Sequence, residues 1–196
     1  MTRTRSFARA LRSAPHGTGG LLMVGTPQYE PWHLTAHLDD EARMAGVPEL
    51  APVLVRHQVP VGVPAHLAMD LRRLEEAGRG ETVLVVAPES SGAPLLERVD
   101  DARRSGAVVL AMESGDTELR GLAHEALTVA DGVERGSRSA LLPDGMLIPD
   151  GAAFDTAQHL VSLAAGETPA AVGNRRGFRD RVARWLETIS GPVEVA

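Results

Sequence analysis

Five short apolar runs constrain this chain more than any other feature. They are Leu21–Val24 (LLMV), Val53–Val59 (VLVRHQV), Thr82–Ala87 (TVLVVA), Ala107–Met112 (AVVLAM) and Ala126–Val129 (ALTV). Most are uncharged and rich in β-branched residues, the signature of strands buried on both faces. The stretches between them carry helix punctuation. Pro31 precedes a helical run over Trp32–Ala45 that Gly46 closes, and Pro64 opens one through Ala77 before Gly78. Pro94 opens a third that runs to Arg104, and Thr117 caps a short one over Glu118–Glu125. Strand and helix alternate with a repeat of roughly 25–30 residues, which predicts an α/β fold: a five-stranded parallel sheet with helices on both faces.

The flanks divide the 196 residues into three parts. Residues 1–16 read as an Arg-rich surface helix with a weak apolar stripe, Phe7 and Leu11; a targeting peptide is the alternative. Residues 17–166 form the α/β domain, including a Gly-, Pro- and Asp-rich loop over 131–151 and a helix at about Ala153–Ala165. Residues 167–196 read as a linker and an amphipathic helix carrying Phe178, Val182, Trp185, Leu186 and Ile189 on one face. That stripe predicts at least a homodimer, packing on its own domain being the alternative.

Composition excludes several chemistries. There is no cysteine, so no disulfide, thiolate metal site or cysteine nucleophile. All 20 basic residues are arginine, which removes Schiff-base and P-loop lysines. Aromatics make up 3%, leaving few platforms for base stacking. Residues 17–172 hold 11 Arg against 23 acids, and such a body repels nucleic acid and anionic membranes. No apolar stretch approaches a bilayer span and no signal-peptide block is present, so a cytoplasmic protein is expected. No Ser-His-Asp order, nucleophile elbow or dinucleotide fingerprint occurs.

Open parallel sheets bind ligands beyond the carboxyl ends of their strands. Two loops therefore matter: GTPQYEP (25–31), with Gly25 and Thr26, and PESSGAP (88–94), with Glu89, Ser90, Ser91 and Gly92. Two hydroxyls and a glycine before a helix suit an anion, and equally suit plain helix capping.

The text VLVVAPESSGAPLLERVDDARRSGAVVLAMESGDTELRGLAHEALTV resembles the SIS (sugar isomerase) domain family. That family has a strand ending in Ser-x-Ser-Gly-x-Thr, a helix, an Arg-x-x-Gly-Ala strand, then a short helix leading to a fifth strand. The likeness runs from Leu67 to Val129, about one third of the chain, and extends more weakly to the Gly25 loop. Within the family it is most similar to phosphoheptose isomerases, whose Ala-Asn-Asp helix start is matched by Ala68-Met69-Asp70. The resemblance implies a flavodoxin-like three-layer sandwich of strand order 2-1-3-4-5. It also implies a dimer or tetramer, and a sugar phosphate or sugar-like ligand held by Asp70 and the serine loop. Two positions depart from it: Glu89 replaces the family's first serine, and Pro94 its threonine.

His33 and His37, four apart on a predicted helix, share a face. Beside Asp39, Asp40 and Glu41 that face reads as solvated and polar, or as half of a metal site. Phosphoheptose isomerases hold zinc with residues of this helix and of the last sheet helix, where His159 stands in this chain. The resemblance thus implies zinc on His33, His37 and His159. The family's glutamine and catalytic glutamate positions fall on Gly151 and Ala152.

Two functions follow. One is an aldose–ketose isomerase or related lyase of a sugar phosphate or sugar derivative, with His159, His66 or Glu89 as base. The other is a non-catalytic oligomeric SIS module that serves as a regulatory or protein-interaction scaffold. Loss of the glutamate at Ala152 and of the phosphate-loop Ser and Thr favours the second.

Overall fold

The computed structural model describes residues 2–15, 17–64, 68–129 and 152–166. In chain order the elements are α1 (Thr2–Ser13), β1 (Leu21–Val24), α2 (Trp32–Ala45), β2 (Pro52–Val55), α3 (Arg72–Glu75), β3 (Thr82–Ala87), α4 (Ala93–Arg104), β4 (Val108–Glu113), α5 (Thr117–Leu122), β5 (Glu125–Thr128) and α6 (Ala152–Gly166). The strands form one sheet in the order β2-β1-β3-β4-β5 with every pair parallel. This is the expected flavodoxin-like sandwich.

Alternation along the strands feeds two cores. Leu21, Met23, Leu84, Val86, Leu110 and Met112 face α1, α2 and α6, meeting Phe7, Leu11, Leu34, Leu38, Phe154 and Val161. Leu22, Val24, Val83, Val85, Val109 and Ala111 face the other layer, meeting Leu74, Leu95, Val99 and Leu119. β3 is therefore buried at all six positions, which is why it carries no charge. The N-terminal stripe is stronger than its sequence suggests: Phe7, Ala8 and Leu11 are buried in the first core. Among the described residues no helix is long and apolar enough to cross a membrane.

Three local expectations are corrected. β2 ends at Val55 rather than Val59, and the helix expected from Pro64 is the single turn α3. The cause is one tertiary pairing: Arg56 N–H donates to Met69 O, and Arg56 bridges Asp70 in parallel. Backbone drawn into the sheet edge cannot also wind into a helix, so tertiary context overrides propensity. The cap of α5 is Asp116, whose Oδ1 accepts Leu119 N–H at 2.9 Å, not Thr117. That helix stops at Leu122 because His124 joins the β4 edge: its N–H donates to Val109 O, and its Nδ1 accepts Val109 N–H at 3.0 Å. His66 and the C-terminal stripe from Phe178 to Ile189 lie outside the described residues.

Candidate functional site

The chain reverses its path across the sheet at β1 and β3, so the loops after these strands flank the crevice where ligands of open sheets bind. Gly25 makes the first loop possible. A Cβ there would collide with the Tyr29 carbonyl oxygen and lie 2.7 Å from Pro31 Cδ. Thr26, buried beside it, accepts Tyr29 N–H at 3.2 Å through Oγ1 and donates that hydroxyl to Glu89 Oε1 at 3.1 Å. Gly92 opens α4 with φ +72°, a conformation glycine takes without strain. Ser91 is buried, and its N–H donates to Asp116 Oδ2 at 2.9 Å. Glu89 and Ser90 are exposed.

Two carboxylates therefore lace three loops together: Glu89 ties the β3 loop to the β1 loop, and Asp116 ties it to the β4 loop. Burial pushes the Asp116 carboxyl up, but N–H donors from Leu119, Ser91 and Glu118 outweigh it and hold the group below its usual value. Asp116 stays charged at neutral pH, where an incoming phosphate would seek the Ser91 N–H. Its signal was legible as Ser-Gly-Asp-Thr ahead of a short helix, a capping pattern that says nothing of the second oxygen. Asp70, by contrast, is exposed and accepts Arg72 N–H at 2.9 Å, opening α3.

A second constellation lies between α2 and α6. His33 Nε2 and His37 Nε2 stand 2.8 Å apart, and the rings of both lie within 5 Å of His159, centroid to centroid. One nitrogen from each of the three falls within 4.8 Å of the others. Desolvation and the two neighbouring imidazoles push His159 down to about 4, and desolvation with His33 lowers His37. The donor set, three imidazoles with no thiolate, is of a kind that suits a divalent transition metal.

Sequence reading missed the contacts that hold α6 to the first loop. Tyr29, edge-on to Phe154, hydrogen-bonds the amide of Gln158 at 2.8 Å, and Gln158 Nε2 also donates to Asp155 Oδ1 at 3.2 Å. Burial raises the Tyr29 phenol, which stays neutral. Only the lone tyrosine of a phenol-poor chain could have flagged it.

No protein-family model matches the chain, and no curated protein matches it in sequence. Solved structures do share its fold. The RpiR transcription factor of Sphaerobacter thermophilus, solved as its sugar isomerase domain, superposes with a TM-score of 0.54 at 13% identity. That match covers 94% of this chain and 85% of the other. NanR of Vibrio vulnificus, solved in complex with ManNAc-6P, gives 0.51 at 14% identity over 94% of this chain and 60% of that one. A Salmonella typhimurium LT2 protein assigned to sugar binding gives 0.52 at 14% identity over 93% and 47%. This chain thus spans about half the length of the Salmonella protein and most of the RpiR domain. The fold this chain carries is the one seen in the RpiR sugar isomerase domain.

Proposed function

We propose that this chain is a SIS-fold module for a sugar-like ligand, seated at the carboxyl edge of the sheet, and that it discriminates against phosphate dianions. The observation that carries the reading is the occupation of the serine loop by the chain's own carboxylates: Asp116 takes the Ser91 N–H and Glu89 the Thr26 hydroxyl. A phosphate here would have to displace them and would face their charge, at a cost of about 1–4 kcal/mol at intermediate dielectric. Pro94 removes a further N–H from the loop. Fold likeness to sugar isomerase domains supports the sugar class. Calorimetry with matched phosphorylated and unphosphorylated sugars tests it: the phosphorylated members should bind no tighter than about millimolar. Micromolar binding of a sugar phosphate would refute it.

The histidine cluster favours a second reading, a metal-assisted aldose–ketose isomerase. His33, His37 and His159 would hold the ion, zinc being the best chemical match. Such an ion polarises a carbonyl and eases proton transfer between adjacent carbons. Glu89 would serve as the base, since His159 would be engaged. Zinc in the purified protein at one equivalent per chain, with exchange of the C2 proton of a sugar observed by NMR, would favour the enzyme. Neither feature, with retained sugar binding, favours the module. Assembly as at least a homodimer through the Phe178–Ile189 stripe belongs to both readings, and sedimentation giving a monomer at micromolar concentration would remove it.

A further inference from the structure

Between the β1 loop and the end of β2, sharing Gly25 and Thr26 with the crevice, lies a cleft of about 190 Å³. Its lining includes the buried Val55 and the polar side chains of Gln28, Glu30, His57 and Gln58. Ligand sites for drug-sized molecules run to roughly 300–1,000 Å³, so this cleft admits one ring or a short chain. The carboxylate on its wall, Glu30, is paired from outside the cleft: its Oε1 accepts Arg56 Nη2 at 2.6 Å and Nε at 3.1 Å. His57 Nε2 lies 2.9 Å from Gly25 O, which can only accept, so that nitrogen donates. The amides of Gln28 and Gln58, both exposed at the rim, make no hydrogen bond among the described residues. Each offers a donor pair and an acceptor.

An apolar side chain beside two amides that both donate and accept, with the one carboxylate paired by Arg56, suits an uncharged polyol with hydroxyls at its edges and a C–H face. We infer that the β1–β2 cleft is the seat of an uncharged monosaccharide or linear polyol, with Gln28 and Gln58 as its hydroxyl-reading residues. The inference rests on the proposed sugar-like ligand class and fixes where that ligand sits.

The test uses the full chain with D-glucose, D-galactose, D-glucitol and glucose 6-phosphate, followed by saturation-transfer NMR and calorimetry. At least one uncharged member should bind at about millimolar, and glucose 6-phosphate at least tenfold more weakly. The double variant Gln28→Ala/Gln58→Ala should weaken the uncharged ligand at least fivefold with an unchanged thermal midpoint, since both side chains are exposed. Sugar binding that survives this variant overturns the inference, and if it falls with Glu89→Ser instead, the ligand sits in the β1–β3 crevice and the functional proposal stands. If no sugar binds, both fail.

Discussion

The ionisable groups at the ends of the strands and those between α2 and α6 live under opposite conditions. Glu113, wholly buried at the end of β4, is surrounded by donors: Gly115 N–H at 2.6 Å, Thr128 Oγ1 at 2.5 Å, and Arg120 through Nε and Nη2 at 3.0 and 3.2 Å. Burial alone would push its carboxyl up, but Arg120, Thr128 and Gly115 outweigh that and hold it low. Asp116, three residues on, is held the same way by backbone N–H groups. His37 and His159 have the reverse environment: desolvation and the crowding of neighbouring imidazoles disfavour their cationic forms. Negative charge is stabilised where strand ends and loops point N–H donors at it, and positive charge is disfavoured where imidazoles lose water and face one another between two helices. The strand-end carboxylates are thus structural struts, held charged by the donors around them, whereas burial disfavours the cationic forms of His37 and His159.

Glu113→Ala should strip the acceptor from four donors and lower stability by about 3 kcal/mol, read as a urea midpoint shift at constant slope. Glu113→Gln, which keeps an acceptor, should lose less; equal losses would break the strut picture. Zinc at 100 times its dissociation constant should raise stability by about 2.7 kcal/mol in the parent and leave His37→Ala unmoved. A parent that gains nothing would end the cation reading of the imidazoles. Glu89→Ser should tighten phosphate-bearing ligands about tenfold, or about 1.4 kcal/mol, by calorimetry; no change would mean that Glu89 does not guard the crevice.

The smallest effect is that of pH on the metal-free protein. His159 has a folded pKa of about 4, below the roughly 6.5 of an unfolded chain. Between those values the unfolded state binds more protons, so stability falls as pH drops through that window and levels off below about 4. At neutral pH and above His159 adds no such dependence. After solvent screening the loss should be about 1 kcal/mol, and His159→Gln should flatten it. An equal acid loss in that variant would assign the effect elsewhere.

Much of the architecture was legible because it depends on near neighbours in the chain. LLMV, TVLVVA and AVVLAM are uncharged and bracketed by helix punctuation, which suffices to specify buried parallel strands. β1, α2 and β3 lie where the pattern puts them. The α3 region was illegible because its fate depends on Arg56 reaching Met69, a partner no local window contains. The pairing of Thr26 with Glu89 and of Ser91 with Asp116 was hidden likewise: sequence brought these loops to one sheet edge but could not tell which hydroxyl or N–H a carboxylate would choose.

What the sequence determined by itself is whatever a fixed periodicity dictates. Period two along the strands makes a sheet with two buried faces, and the four-residue step of a helix sets His33 beside His37. Tertiary structure decided what periodicity cannot reach: the approach of His159 to that pair, fixed by α6 packing on α2 and tied through Gln158 and Phe154 to Tyr29. Contacts between segments far apart in the chain depend on the whole packed core, in which every layer shares in setting each neighbour's position.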